Sequence, residues 1–330
     1  MPEFSRCAVE PSAADAAGAV EPILLGQSAA MVRLRCQLDR IARSDSTELI
    51  TGETGTGKEL VARYVHLKSA RRNRPFVALN CAALPESLIE SELFGHARGA
   101  FTGAHQAYKG KVRLAAGGTL FLDEIGDMNL SAQARLLRFL ESGEVFSVGG
   151  LHAETVPVRV IAATNQDLAQ RMRQGLFRKD IYYRLNIAGI ELCPLCERKT
   201  DLDELVAHFL ALLEARYALR LKGITAAARR LFLRYAWPGN VRELKNVLES
   251  AVLQAEGDVI DVRHLPGYVT AEMRSPQALD EREMLLHTLA STDWNKSAAA
   301  QSLHWSRMTL YRKLAKYHLQ ETSRAKPPKL

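Results

Sequence analysis

From residue 23 to about residue 197, short runs of β-branched and large apolar residues alternate with stretches whose apolar positions recur at helical spacing. The runs are ELIT (48–51), FVALN (76–80), TLFLDE (119–124) and VRVIAAT (158–164). Runs of this kind read as strands. Strands separated by amphipathic helices predict a mostly parallel sheet with helices on both faces, an α/β domain over 23–197. After residue 198 the strands stop. Apolar spacing turns helical in DLDELVAHFLALLEARYAL, AAARRLFLRYA and VRELKNVLESAVLQA, which predicts a helical subdomain over 198–266.

A Gly-, Pro- and Ser-tinged stretch, 267–278, reads as a linker. The last unit, 279–330, contains NKSAAAQSLHWSRMTLYRKLAKYHL (295–319), which has the shape of a helix-turn-helix. Asn295 caps a first helix over 296–302 and Ser306 a second over 307–317, with Ala299, Leu303, Trp305, Leu310 and Leu314 as a small shared core. Residues 1–22, rich in Ala, Pro and Glu without periodicity, read as a flexible leader too short for a sensory domain.

Composition narrows the class without redirecting it. A chain of 330 residues with 47% hydrophobic and 25% charged residues is ordinary globular material. No apolar run reaches the length of a membrane span and no export signal opens the chain, so the expected location is cytoplasmic. The five cysteines do not form a secreted disulfide framework. Cys193 and Cys196 make a CxxC without a second ligand pair, which favours a structural reading over zinc or redox chemistry. The formal charge of +7 is localised: from Lys296 onward eight basic residues stand against Glu321 alone, so the remainder sums to zero. A polyanionic partner would be met at the C-terminus, through Ser306, Arg307, Thr309, Arg312 and Lys313 on the second helix.

Candidate chemistry lies at the ends of the strands. GETGTGKE follows the first strand and opens a helix; Gly52, Glu53, Thr54, Gly55, Thr56, Gly57, Lys58 and Glu59 match a phosphate-binding loop whose lysine reaches the β and γ phosphates. Glu59 stands where a magnesium-ligating hydroxyl is usual. GGTLFLDEI ends in Asp123, a ligand for Mg2+, and Glu124, which polarises the attacking water. Together these motifs indicate ATP hydrolysis. Asn80, Thr164 and Asn165 also end strands, where ligands of open α/β sheets bind, although each is as readily a turn former or helix cap. Arg178 and Arg184 in FRKDIYYRLN suit either phosphoryl-stabilising fingers or an ion-pairing surface, and Arg242 opens a helix after a Pro-Gly-Asn turn. Finally, Gly99, Ala100, Phe101, Thr102, Gly103 and Ala104 spell GAFTGA. Glycine loses the most entropy on folding, so this is a poor way to bury a ring.

The ordered set GETGTGKE, ELFGHARGAFTGA, GGTLFLDEI, FRKDIYYRLN and WPGNVREL closely resembles the bacterial enhancer-binding proteins, the AAA+ activators of sigma-54-dependent transcription. The resemblance implies an AAA+ P-loop parallel sheet with a helical lid, followed by an all-α, Fis-like helix-turn-helix domain. It makes Glu59 the family's own form of the loop. It assigns Lys58 to Walker A, Asp123 and Glu124 to Walker B, and Asn80 to coupling Glu124 with the phosphate. Thr164 and Asn165 become sensor I, Arg242 sensor II, and Arg178 and Arg184 fingers acting in trans within a ring, a hexamer by family expectation. ATP and Mg2+ are the implied cofactors. The implied partners are the sigma-54 RNA polymerase holoenzyme, engaged by GAFTGA, and enhancer DNA, bound by dimers. The chain departs from the family at His304, where the turn usually has glycine, and at Cys193 and Cys196. Another AAA+ remodeller such as an unfoldase or chelatase subunit, or a DNA-binding regulator with a vestigial ATPase, are the alternative readings.

Overall fold

A computed structural model describes residues 23–101 and 104–271, and in the C-terminal stretch 285, 288–289, 292, 294–303, 310, 313–314 and 317. The first compact unit runs to Ala211 and takes in Ala236–Asn246. It begins with α1 (Ala29–Ile41), β1 (Glu48–Thr51) and α2 (Lys58–Leu67), followed by β2 (Phe76–Asn80), α3 (Glu86–Phe94) and α4 (Lys111–Leu114). Next come β3 (Thr119–Asp123), α5 (Leu130–Ser142), the short β4 (Glu144–Phe146) and β5 (Ala153–Thr155), and β6 (Arg159–Thr164). α6 (Leu168–Arg173), α7 (Lys179–Leu185), β7 (Ala188–Glu191) and α8 (Leu202–Tyr217) complete the series.

Five strands pair in parallel in the order β2-β3-β6-β1-β7. Side chains alternate across the sheet with a period of two, and the core divides accordingly. Leu49, Leu120, Leu122 and Ala162 pack with α3, α5 and α7, whereas Ile50, Phe121, Ile161 and Ala163 pack with α1 and α2. Covered on both faces, β6 is buried at all six positions. Register brings the carboxyl ends level: Asn80 pairs with Asp123 and Thr51 with Thr164. β4 and β5 form a separate antiparallel pair.

The second unit comprises Leu212–Tyr235 and the described residues from Val247 on. It contains α9 (Ala226–Arg234), most of α10 (Asn240–Gln254) and α11 (Gly267–Ala271), so the expected linker opens on a short helix. Strands do not stop at residue 198 as the periodicity suggested. β8 (Gly223–Ile224) and β9 (Val259–Ile260) form a two-residue parallel pair too short to register as a run. Near the C-terminus Lys296–Ser302 is helical, and Asn295 Oδ1 accepts the Ala298 N–H at 3.2 Å, the expected cap. Ala299, Leu310 and Leu314 are buried together with Leu285 and Leu289, and Leu303 and Trp294 pack against them. Trp305 and the proposed DNA-reading residues Ser306, Arg307, Thr309 and Arg312 lie outside the described residues; Lys313 is described and helical. Among the described residues no helix is long and apolar enough to cross a membrane.

Candidate nucleotide-binding site

β1 ends at Thr51 and the loop turns at once. Gly57, at φ 103° immediately before α2, holds a left-handed conformation that disfavours a side chain. The helix N-terminus and the loop amides thus face one seat, the arrangement that favours phosphate. Lys58, 7% exposed, donates to the carbonyls of Gly52 (3.0 Å) and Glu53 (3.4 Å) and lies 3.6 Å from Glu124 Oε1. Thr56 Oγ1 donates to Glu53 O at 2.7 Å, closing the loop on itself. The Glu59 carboxylate accepts from Arg63, one turn along α2, so its own contribution to a phosphate would come from its backbone.

Opposite the loop, β3 delivers Asp123 and Glu124. Burial first, and the Glu124 charge second, hold the Asp123 carboxyl above the ordinary carboxylate range. Two adjacent acids with that tension suit a divalent cation, which would relieve it. Glu124 adopts φ 50°, uncommon for a residue with a long side chain. Its carboxylate is held from one side by Lys58 and from the other by the Asn165 N–H, at 3.0 Å to Oε2. Asn165 also donates through Nδ2 to Thr54 Oγ1 at 2.8 Å, so it touches both the phosphate loop and the β3 acids. Thr164 is fully buried and its hydroxyl accepts the Gln166 N–H at 3.1 Å, shaping the turn that presents Asn165.

Asn80 is placed differently from the expectation. Its Oδ1 accepts the N–H groups of Ala82 and Ala83, at 2.9 and 3.2 Å, capping the 3-10 turn after β2. It stands level with Asp123, but Glu124 is engaged by Lys58 and Asn165 instead. The two arginines also separate. Arg178 forks onto Asp180, both about half exposed. Arg184 donates to Leu140 O at 3.2 and 3.0 Å, and lines a cleft with Thr47 and Val158, which precede β1 and β6. That is the amino edge of the sheet, the opposite end from the chain's own phosphate loop. Arg242 is exposed, and its N–H donates to Gly55 O at 3.2 Å.

Two residues to which the motifs assigned no role complete the site. Asn240, fully buried at φ 52°, donates from Nδ2 to Glu53 Oε2 and Thr54 O while its Oδ1 accepts the Leu195 N–H. Arg198, 5% exposed, donates to Thr56 O at 3.3 Å, and burial lowers its pKa. Between them runs the segment that carries the CxxC. Cys193 Sγ lies 3.4 Å from Glu197 Oε2, and burial together with that carboxylate raises the thiol above its usual range, which keeps it protonated.

GAFTGA forms its own structure away from the phosphate seat. Gly99 donates to Ala104 O at 2.8 Å and Ala104 to Phe101 O at 3.0 Å; Thr102 and Gly103 lie outside the described residues. Phe101 is 40% exposed, and its ring meets His96 edge-on with centroids 5.0 Å apart. His96 in turn joins Ser91 Oγ (2.7 Å) and Gln106 O (3.0 Å) through its two ring nitrogens. Phe101 is therefore neither core nor free: its ring is seated against His96 and stays partly open to solvent. Beside it a cleft is lined by Glu86, Glu90, Asn129 and Val148.

The parallel sheet, the phosphate loop and the acids that end β3 define a P-loop NTPase of the AAA+ class. Comparison with known proteins gives the particular family. The sigma-54 interaction domain matches residues 24–191, an AAA+ ATPase lid domain residues 196–282, and the Fis family of bacterial regulatory proteins residues 279–317. The transcriptional regulatory protein ZraR of Salmonella typhimurium is 47% identical over 302 residues, spanning 89% of this chain and 68% of that protein. The Nif-specific regulatory protein of Azotobacter vinelandii is 46% identical over 295 residues, spanning 86% of this chain and 56% of that one. Among solved structures, NtrX from Brucella abortus in complex with ATP superposes with a TM-score of 0.73 at 31% identity, covering 90% of this chain and 70% of its own. The chain belongs to the sigma-54-dependent transcriptional activators.

Proposed function

We propose that this chain couples ATP hydrolysis to remodelling of the sigma-54 RNA polymerase closed complex, reaching the polymerase through GAFTGA and upstream enhancer DNA through its C-terminal helix-turn-helix. The observation that carries the reading is Asn165, which bonds Thr54 of the phosphate loop and Glu124 at once. A γ-phosphate entering between them would compete for the same groups, so nucleotide occupancy is felt by the hydrolytic carboxylate.

In this mechanism Lys58 turns from the Gly52 and Glu53 carbonyls to the β and γ phosphates. Asp123 would hold Mg2+, which when bound would neutralise charge on the phosphates. Glu124, released by Lys58 and Asn165, orients the attacking water. Asn80, which here caps the turn after β2, would take Glu124 in another state of the cycle, once Lys58 and Asn165 have released it. Arg242 approaches the nucleotide from the helix that follows Asn240. Arg184, at the far edge of the sheet, acts on a neighbour's nucleotide, with Arg178, six residues earlier and released from Asp180, as a second finger, and this requires a ring, a hexamer on the family pattern. Phe101 and Thr102 then meet the polymerase once per cycle. The setting is the cytoplasm.

Steady-state ATPase measured at rising protein concentration tests this reading. Specific activity that climbs with concentration supports a site completed between subunits. Flat turnover at background level contradicts it and favours a regulator with a vestigial ATPase.

A further inference from the structure

Asn240 has no surface of its own and no place in the phosphate chemistry described above, yet each polar atom of its carboxamide is engaged. Nδ2 donates to Glu53 Oε2 at 2.9 Å and to Thr54 O at 3.1 Å, while Oδ1 accepts the Leu195 N–H at 2.7 Å. One amide group thereby joins the phosphate loop, the segment leaving β7, and the first turn of α10.

The surroundings fix this junction closely. Asn240 holds φ 52°, a left-handed angle that asparagine tolerates better than most residues. The backbones of Gly55 and Gly239 approach so nearly that a Cβ on Gly55 would lie 2.2 Å from Gly239 O. Gly239 donates to Glu243 Oε2 at 2.8 Å, and Arg242 donates to Gly55 O at 3.2 Å. Glu53, Thr54 and Gly55 therefore present their outer side to the turn at 239–242, which leaves their inner amides to the phosphates.

We propose that Asn240 is a positioning residue of the nucleotide site: it fixes the outer edge of the phosphate loop through Glu53 and Thr54 and, by the same turn, sets where Arg242 stands. The proposal rests on the nucleotide-binding reading and deepens it. It gives Glu53 a role distinct from that of its neighbours, as the acceptor that locks the loop to this turn rather than as a phosphate ligand.

The donor in this contact is the essential feature, and an isosteric change removes it. Asn240→Asp sets a carboxylate oxygen against the Glu53 carboxylate and the Thr54 carbonyl in a buried position, where like charges and unpaired acceptors are strongly unfavourable. Adding Glu53→Gln returns a donor to the pair with its direction reversed.

Titration of the 330-residue chain with a fluorescent ATP analogue decides the matter. The wild-type chain binds saturably. Asn240→Asp weakens binding about tenfold or more, and the double variant Asn240→Asp, Glu53→Gln recovers part of that loss, the Thr54 carbonyl still facing a carboxylate oxygen. Wild-type affinity in Asn240→Asp overturns the proposal, as does a double variant no better than the single one, which would reduce Asn240 to a general structural support. Failure of the wild-type chain to bind the analogue would instead overturn the nucleotide-binding reading, and this proposal with it.

Discussion

The Lys58 ammonium lies 3.6 Å from Glu124 Oε1, with the two side chains 7% and 17% exposed. A cation withdrawn from water in this way is held by the Gly52 and Glu53 carbonyls and by one carboxylate, all of which a triphosphate would replace. Lys58→Ala should therefore lose nucleotide binding, with an affinity drop of about a hundredfold or more from the missing charge-assisted contacts. Equilibrium titration with a fluorescent ATP analogue measures it.

Glu124 takes no part in shaping the loop itself. Its carboxylate accepts from Asn165 and faces Lys58, and its position allows it to orient water. Glu124→Ala should bind ATP and fail to turn it over, with kcat down by about 10²–10⁴ while affinity stays near that of the unmodified chain. Paired binding and phosphate-release assays separate the two effects. Loss of binding equal to that of Lys58→Ala would contradict the assignment.

Arg184 stands at the amino edge of the sheet, bonded to Leu140 O and close to Thr47, whereas the phosphate loop follows the other end of β1, about 13 Å away along the strand. On the proposed reading it serves a neighbour's nucleotide. Arg184→Ala should lower ATPase activity by about a thousandfold, and mixing it with the inactive Lys58→Ala chain should restore part of the rate. In mixed rings an intact phosphate loop from one chain meets an intact arginine from the other. A mixture no more active than its components would show that Arg184 does not act in trans.

Beneath the site, Arg159 Nη2 and Glu48 Oε1 form a fully buried ion pair at 2.6 Å, and the same guanidinium donates to the carbonyls of Ile41 and Ala42. Arg159→Met leaves Glu48 and both carbonyls without their partner. It should destabilise the fold by about 3–5 kcal/mol, read as a lowered midpoint in urea. A change within 0.5 kcal/mol, about what a surface substitution causes, would mean the pair contributes nothing net.

The sheet was legible because four of its five strands are apolar runs rich in β-branched and aromatic residues. The fifth, Ala188–Glu191, has alanine and glycine in its four residues and gave no such signal. Asp123, Glu124 and Asn165 come together with Lys58 because the three sit at or just after strand ends that register brings level, and the loop after β1 carries Lys58 to the start of α2 beside them. For Asn80, neither its position at a strand end nor the family resemblance shows that a nearer pair of N–H groups claims its oxygen. Asn240 and Arg198 escaped notice for the opposite reason. Their partners lie far along the chain, and only the fold brings Asn240 to Glu53 or Arg198 to Thr56. A turn asparagine after Pro-Gly was the one local hint.

GAFTGA carries the proposed contact with the polymerase. Phe101 is seated against His96 and stays partly open to solvent, on a loop that shares no hydrogen bond in this structure with Lys58, Asp123 or Glu124 among the described residues. Phe101→Ala should therefore hydrolyse ATP within about twofold of the unmodified rate, a change below 0.5 kcal/mol in the barrier. The decisive measurement is ATP-dependent open-complex formation by this variant with purified sigma-54 RNA polymerase, made beside its ATPase rate. The account predicts near-normal hydrolysis with open-complex formation lost; normal activation would contradict it.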